Sequence, residues 1–280
     1  MHLEDRNFQL HVPERRSAAA PLVVAFHGGM ATGGAMRKLT NLDARANREG
    51  WMVAYPDATR GHWNDGRGSA EIPEQRDGVD DVGWFSRLVD HLVETAGADR
   101  DRVYVTGFSN GGMFCHRLAV ERPHMVAAVA AVAGPMPEPL LDPGPTRPVP
   151  VLVVHGTDDP VVPYGGGPVQ GDPRRGRVAP VEETAARWRA VNRCAPTPTV
   201  TELPHRDPAD RTRVRLTTWE PEAAGEGADV VLVMVDGGGH TWPGGLQYQP
   251  QSAIGATAGD VHASDLIADF FRGRKRGEGG

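Results

Sequence analysis

The sequence predicts an α/β fold in which helices cover both faces of a mostly parallel central sheet. Short apolar segments typical of buried parallel strands alternate along the chain with segments whose apolar residues recur every three or four positions, as in amphipathic helices. The 280-residue chain, with 39% hydrophobic and 24% charged residues, can bury one core and has the composition of a soluble globular protein.

Six apolar segments are the strand candidates: residues 22–26, 51–55, 103–106, 125–133, 149–154 and 229–235. Residues 8–12 alternate apolar and polar side chains, which indicates a half-exposed edge strand. The helix candidates are residues 35–49, 82–96, 112–121, 181–192 and 262–271. This alternation predicts parallel strands joined by helical crossovers.

Three segments rich in Gly, Pro and charged residues interrupt the pattern at residues 61–80, 135–148 and 165–180. We interpret them as loops at the rim of the sheet. We predict a single catalytic domain over residues 1–272 and a flexible tail over residues 273–280. The tail contains most of the basic cluster at residues 272–276, which we expect to be solvated.

Charge and hydropathy exclude two classes of partner. The net charge of −6 provides no basic surface for nucleic acid. No apolar run approaches the roughly 20 residues of a membrane span, and the first ten residues do not resemble a signal peptide. The two cysteines, Cys115 and Cys194, permit at most one disulfide, and we expect Cys115 to be a small core residue instead.

A candidate nucleophile lies where the apolar run from Val103 meets the predicted helix. The run stops at Gly107-Phe108-Ser109-Asn110-Gly111, and this order of strand, Gly-x-Ser-x-Gly and helix is typical of a nucleophile elbow. The tight turn requires glycines where a Cβ would collide with neighbouring backbone. We therefore predict that Ser109 is exposed above the sheet as a nucleophile.

A serine nucleophile needs an imidazole base and a carboxylate that orients the imidazole, and hydrolases with this elbow supply them in the order Ser, acid, His. Asp158 and Asp159 follow the strand candidate at residues 149–154, and both remain open as the acid. His240 lies on a Gly-rich loop after the last strand candidate and is the predicted base.

The oxyanion of the intermediate needs backbone N–H donors. One donor is expected from Asn110, the residue after the nucleophile. The other is expected from the loop after the strand candidate at residues 22–26, where Gly29 is preferred and Met30 is the alternative.

These motifs together resemble the polyhydroxybutyrate depolymerase and feruloyl esterase group of α/β-hydrolases. The resemblance spans residues 8–272 and rests on the motifs His27-Gly28-Gly29, Trp63-Asn64-Asp65-Gly66, the elbow, and residues 79–84, 155–164 and 237–245. It implies an α/β-hydrolase fold and a secreted or envelope carboxylesterase with the triad Ser109, Asp159 and His240 and with no cofactor or metal. Asp159 is preferred to Asp158 because the similar His-Gly-x-x-Asp-x-x-Val pattern of these enzymes has its acid at the fifth position. Because no leader precedes the first strand candidate, a cytoplasmic location is also open.

We therefore expect ester hydrolysis through an acyl-enzyme, with a small-molecule or oligomeric ester as substrate. Hydroxyalkanoate, hydroxycinnamoyl and acetylated-glycan esters all remain open. Trp63 and Trp242 lie in rim motifs and are expected to bind substrate as an aromatic wall, although each could instead belong to the core. A serine peptidase or amidase of the prolyl-oligopeptidase type and a catalytically silent binding module are the alternatives.

Overall fold

A twisted sheet crosses the molecule. The computed structural model describes residues 1–223 and 225–277. Within these residues the strands are β1 (His2–Leu3), β2 (Arg6–His11), β3 (Ala20–Phe26), β4 (Met52–Pro56), β5 (Ala98–Phe108), β6 (Ala128–Val132), β7 (Val151–Gly156), β8 (Gly167–Pro168), β9 (Arg177–Val178), β10 (Thr199–Glu202), β11 (Arg213–Trp219) and β12 (Val230–Asp236). Ten of them form one sheet in the order β1-β2-β4-β3-β5-β6-β7-β12-β11-β10, and β8 pairs with β9 alone.

The centre of the sheet is parallel, as predicted. Strands β4, β3, β5, β6, β7 and β12 run in one direction, while β1 and β2 at one edge and β10 and β11 at the other are antiparallel. The carboxyl ends of the parallel strands therefore share one edge of the sheet. Active sites of open α/β sheets form along that edge, and every predicted catalytic residue follows one of these strands.

Helices cover both faces of the sheet, which confirms the predicted architecture. They are α1 (Gly33–Thr40), α2 (Leu42–Glu49), α3 (Pro73–Arg76), α4 (Asp81–Ala96), α5 (Asn110–Glu121), α6 (Val181–Val191), α7 (Gln251–Ile254) and α8 (Ala263–Phe271). One apolar core contains side chains of α4, α5 and α6, and the other contains side chains of α1, α2 and α8. Successive residues of β3, such as Val23 and Val24, belong to opposite cores because side chains alternate across a strand. Among the described residues, no helix combines the length and apolar character needed to cross a bilayer.

Several elements differ from the prediction. The predicted rim loops at residues 61–80 and 165–180 contain the short helix α3 and the strand pair β8–β9. The helix expected at residues 35–49 is split into α1 and α2 by Asn41, whose φ of 48° is left-handed and closes α1. The edge strands β10 and β11 were missed because their exposed side chains include Arg213 and Arg215 and form no continuous apolar run. Edge strands need only one buried face, so their signal in the sequence is weak.

The first residues of the predicted flexible tail contact the domain. Arg274 donates to both carboxylate oxygens of Asp229 at 2.6 Å, and its guanidinium lies 4.1 Å from the ring centre of Phe270. Arg276 donates to Asp101 at 2.5 Å. The basic cluster therefore packs on the domain through ion pairs, because acidic residues lie at the amino ends of the strands. The remainder of the predicted tail, residues 278–280, lies outside the described residues.

Both cysteines are free thiols. Cys115 is fully buried in a core, as predicted. Cys194 is half-buried and donates its thiol to the carbonyl of Ala228 at 3.3 Å.

Candidate active site

Ser109 lies at the sharp turn between β5 and α5. Its φ of 55° and ψ of −119° place a non-glycine residue in a sparsely populated region, a strain that tends to mark functional turns. A Cβ on Gly107 would lie 2.3 Å from the backbone of Gly111, and one on Gly111 would lie 2.3 Å from the carbonyl oxygen of Phe26. The predicted need for both glycines is therefore confirmed by the close approach of backbone on either side of Ser109.

Asp159 and His240 meet at the carboxyl ends of neighbouring parallel strands. Asp159 follows β7 and His240 follows β12, and these two strands are paired. The Nδ1 atom of His240 lies 2.7 Å from Oδ2 of Asp159. The other carboxylate oxygen accepts the N–H groups of Val161 and Val162, both at 2.8 Å. These contacts hold the carboxylate in one orientation and leave Nε2 as the imidazole's free nitrogen.

Asp158 does not take part in this contact. Its side chain is exposed and accepts a hydrogen bond from the hydroxyl of Thr157 at 3.1 Å. The choice of Asp159 over Asp158 therefore agrees with the geometry.

A second histidine lies on the same carboxylate. Nε2 of His155 is 3.4 Å from Oδ2 of Asp159 and bonds the carbonyl of Val162 at 2.9 Å. Burial raises the pKa of Asp159, but hydrogen bonds from His155 and His240 outweigh the burial and hold that pKa well below its usual range. Asp159 is therefore a stable buried anion. The sequence showed that His155 belongs to the same motif as Asp159, but it did not show that the His155 ring contacts the Asp159 carboxylate.

The loop after β3 lies against the turn at Ser109. A Cβ on Gly28 would lie 3.5 Å from Cβ of Ser109. His27 accepts the N–H of Ala58 through Nε2 at 3.0 Å and bonds the carbonyl of Gly28 through Nδ1 at 2.7 Å. Burial lowers the pKa of His27, which favours the neutral imidazole that both contacts require.

The predicted oxyanion donors Gly29, Met30 and Asn110 all line a cavity together with Ser109 and His240. Asn110 is the first residue of α5, where N–H groups have no acceptor within the helix. The alternative donor Met30 is wrong for this conformation, because its N–H donates to the carbonyl of Gly61 at 2.8 Å.

The Asn110 side chain is clamped by the rim motif at residues 63–65. Its Oδ1 accepts the N–H of Trp63 at 2.7 Å, and its Nδ2 donates to the carbonyl of Trp63 at 2.9 Å and to Oδ2 of Asp65 at 2.6 Å. Asn110 is 2% exposed and Asp65 is fully buried. The motif thus anchors the start of α5 beside Ser109, a role that its sequence did not reveal.

The predicted substrate-binding tryptophans are wrong. Trp63 and Trp242 are each 0% exposed, and neither lines the cavity. Trp63 donates Nε1–H to the carbonyl of His27 and stacks on Phe114, while Trp242 donates Nε1–H to the hydroxyl of Ser264. Both indoles turn inward because the core offers them apolar contacts and also an acceptor for the N–H.

The cavity above Ser109 has a volume of about 490 Å³. Its mouth carries the exposed apolar side chains of Met30, Leu246 and Tyr248, which are 81%, 61% and 41% exposed. Phe108 lines the interior and packs against the ring of His240 at 4.9 Å. Apolar side chains gathered around a concave site are typical of binding sites for organic ligands.

The chain is similar to known esterases. A family model described as Phospholipase/Carboxylesterase matches residues 8–169. The putative esterase NocK of Nocardia uniformis subsp. tsuyamanensis is 34% identical over 285 residues, which cover 96% of this chain and 79% of that relative. Feruloyl esterase B of Piromyces equi is 28% identical over 79% of this chain, which spans only 40% of that relative's length.

Among solved structures, the acetyl xylan esterase from Aspergillus awamori superposes with a TM-score of 0.62 over 95% of this chain and 94% of that chain, at 16% identity. This likeness shows a shared fold. Relatives named feruloyl esterase and poly(3-hydroxyalkanoate) depolymerase confirm the resemblance seen in the motifs. The chain therefore belongs to the phospholipase/carboxylesterase family of α/β-hydrolases.

Proposed function

We propose that the protein is a serine carboxylesterase with Ser109 as nucleophile, His240 as base and Asp159 as the acid that orients His240. The observation that carries this proposal is the placement of a strained, partly exposed serine and an Asp159-bound imidazole around one cavity. Membership of the carboxylesterase family makes an ester the expected substrate.

The proposed reaction forms and then hydrolyses an acyl-enzyme. The hydroxyl of Ser109 attacks the ester carbonyl while His240 takes its proton and then passes it to the leaving alcohol. The charged Asp159 stabilises the imidazolium that forms in between. Water then repeats the same steps on the acyl-enzyme, and the cycle needs no cofactor.

The N–H groups of Gly29 and Asn110 are the proposed oxyanion donors. Each such donor typically contributes roughly 3 to 4 kcal/mol to the transition state. The clamp on the Asn110 side chain supports this role because it holds the first turn of α5 in place before substrate arrives. A donor that is already oriented costs no reorganisation during the reaction.

The apolar mouth supports a small-molecule or oligomeric ester with an apolar portion. Met30, Leu246 and Tyr248 replace the tryptophans as the proposed surface for that portion. Relatives of this chain include proteins named feruloyl esterase, acetylxylan esterase and poly(3-hydroxyalkanoate) depolymerase. Hydroxycinnamoyl, acetylated-glycan and hydroxyalkanoate esters are therefore suitable test substrates.

The test is labelling by a fluorophosphonate, with the adduct mapped by mass spectrometry and hydrolysis of 4-nitrophenyl butyrate followed in parallel. We expect an adduct on Ser109 in the unsubstituted protein, and neither adduct nor turnover in Ser109→Ala. Ser86→Ala, a substitution on α4, is the matched control and is expected to retain both. Full turnover by Ser109→Ala would rule out the proposed nucleophile.

A further inference from the structure

The charged groups that line the cavity are cations. Lys38, Arg67 and Arg175 line it, whereas no Asp or Glu of the described residues does so. The chain as a whole has a net charge of −6, so this bias does not follow from composition. A concave site lined by one sign of charge concentrates ligands of the opposite sign.

Arg67 is a buried arginine with unused donors. Its side chain is 5% exposed, and its Nη1 lies 3.2 Å from Asp65 and 2.7 Å from the sulfur of Met113. Within residues 1–223 and 225–277, neither Nε nor Nη2 has a hydrogen-bond partner, and Nε is fully buried. Buried donors normally have acceptors. Nε is closed to solvent, so Nη2 is the donor that an oxygen ligand in the cavity would meet.

Arg175 lies beside Arg67 on the same wall. A Cβ on the next residue, Gly176, would lie 2.7 Å from both Cγ and the carbonyl oxygen of Arg67, so the two loops are in direct contact. Arg175 is half-buried and, in the described part of the chain, makes no ion pair. By contrast, the adjacent Arg174 pairs with Asp172 at 2.8 Å and with Glu71 at 3.3 Å.

The carboxylates near this wall are buried away from the cavity. Asp65 and Glu74 are both 0% exposed and do not line the cavity. Asp65 accepts from Asn110 and from Gln75 at 2.9 Å. Oε1 of Glu74 accepts the N–H of His62 at 3.3 Å, while its buried Oε2 has no hydrogen-bond partner among the described residues. The acceptors thus serve the loops that build the wall, and the cations are left on the cavity side.

We propose that this site takes esters that also carry a carboxylate, which Arg67 and Arg175 bind. The proposal rests on the proposed esterase function and names the substrate class of that same site. Guanidinium groups suit this role because their planar donors match the two oxygens of a carboxylate and make strong, charge-assisted hydrogen bonds. The apolar mouth then holds the uncharged portion of the ester.

Two pairs of esters test the proposal, each pair sharing a scissile bond. The acyl-side pair is 4-nitrophenyl hydrogen adipate and its methyl ester, and the alcohol-side pair is 4-acetoxybenzoate and its methyl ester. We expect kcat/KM to favour the anionic member of at least one pair by about tenfold, a preference that falls as salt is raised from 50 to 500 mM.

The deciding variant is Arg175→Gln, which removes one cation at a half-buried position. We expect it to lower the ratio of anionic to neutral kcat/KM by about tenfold. Arg174→Gln removes an adjacent charge that does not line the cavity, so it is the matched control and should keep the ratio of the unsubstituted protein. Calorimetric titration of Ser109→Ala with the same esters measures the preference without turnover.

The outcomes separate the two proposals. If the neutral esters are hydrolysed and neither pair shows a preference, the carboxylate site is wrong while the esterase function stands. An equal loss of preference in Arg174→Gln and Arg175→Gln would also overturn it, because general surface charge would then suffice. If no ester is hydrolysed, the esterase function fails. Calorimetry then decides the carboxylate site alone: tighter binding of the anionic esters supports it, and equal affinity refutes it.

Discussion

Asn110→Ala tests the link between the rim motif and the active site. The substitution leaves the backbone N–H of residue 110 in place but removes the side chain that bonds Trp63 and Asp65. Two backbone groups of Trp63 then lose their partner in a fully buried region, and Oδ2 of Asp65 loses its bond to Asn110 and retains the contact with Nη1 of Arg67 at 3.2 Å. We expect losses of both stability and turnover, since the same contacts anchor the first turn of α5.

The expected loss of stability follows from the three bonds. The two bonds between amide groups contribute about 1 kcal/mol each, and the bond to the charged Asp65 contributes about 2 kcal/mol. The free energy of unfolding should therefore fall by about 4 kcal/mol. If the start of α5 also shifts, the N–H of residue 110 moves away from the oxyanion, and kcat should fall by about tenfold or more.

Urea unfolding followed by tryptophan fluorescence and hydrolysis of 4-nitrophenyl butyrate measure the two effects. Asn64→Ala is the matched control, because the Asn64 side chain makes one bond, to the carbonyl of Val79 at 2.9 Å, and does not touch Asn110. It should cost about 1 kcal/mol and retain kcat. If Asn110→Ala were as stable as Asn64→Ala and turned over at the rate of the unsubstituted protein, the clamp would have no such role.

Three further predictions follow from the structure. Asp159→Asn should lower kcat by roughly 10⁴-fold, as expected when a triad acid loses its charge, whereas Asp158→Asn should not; equal effects in an ester assay would contradict the assignment. Burial lowers the pKa of His116 to about 3, whereas a histidine in the unfolded state has a pKa of about 6.5. Between about pH 3 and about pH 6.5, therefore, only the unfolded state binds a proton at His116. The protein should thus lose about 2.3 kcal/mol of stability from pH 6.5 to 4.5 that His116→Gln does not lose, and an equal loss in both proteins, measured by urea unfolding at the two pH values, would argue against it. Gly107→Ala should abolish folding or activity because its Cβ would lie 2.3 Å from backbone, while Gly165→Ala, with no atom within 4 Å, should retain the melting temperature.

The turn at Ser109 and the general position of the site could be predicted from the sequence. Gly107 and Gly111 flank Ser109 in the chain, so the steric requirement of the turn is visible locally. The site residues follow strands whose carboxyl ends must share an edge, which made His240 a candidate from its position alone. The parallel strands were also easy to recognise in the sequence, because both of their faces are buried and each strand is therefore a nearly continuous apolar run.

The identity of the second oxyanion donor could not be decided in this way. Gly29 and Met30 are adjacent in the chain and both lie in the loop after β3. Met30 is excluded only because the carbonyl of Gly61, which lies in a different loop, accepts its N–H. The tryptophans failed for a related reason: a rim motif gives the place of an indole, but the direction of the ring depends on the core packed beneath it.

The sequence by itself determined the fold class, the chain order of the parallel strands and of the helices that cover them, and the strained turn at Ser109. Those properties depend on periodicity and on backbone sterics between neighbouring residues. Only the tertiary structure decided that Asp159 rather than Asp158 contacts His240, that the rim motif holds Asn110, and that Arg67 and Arg175 share one wall. Each of these depends on partners from distant segments. Asp159 and His240, for example, are 81 positions apart in the chain and meet only when the sheet assembles.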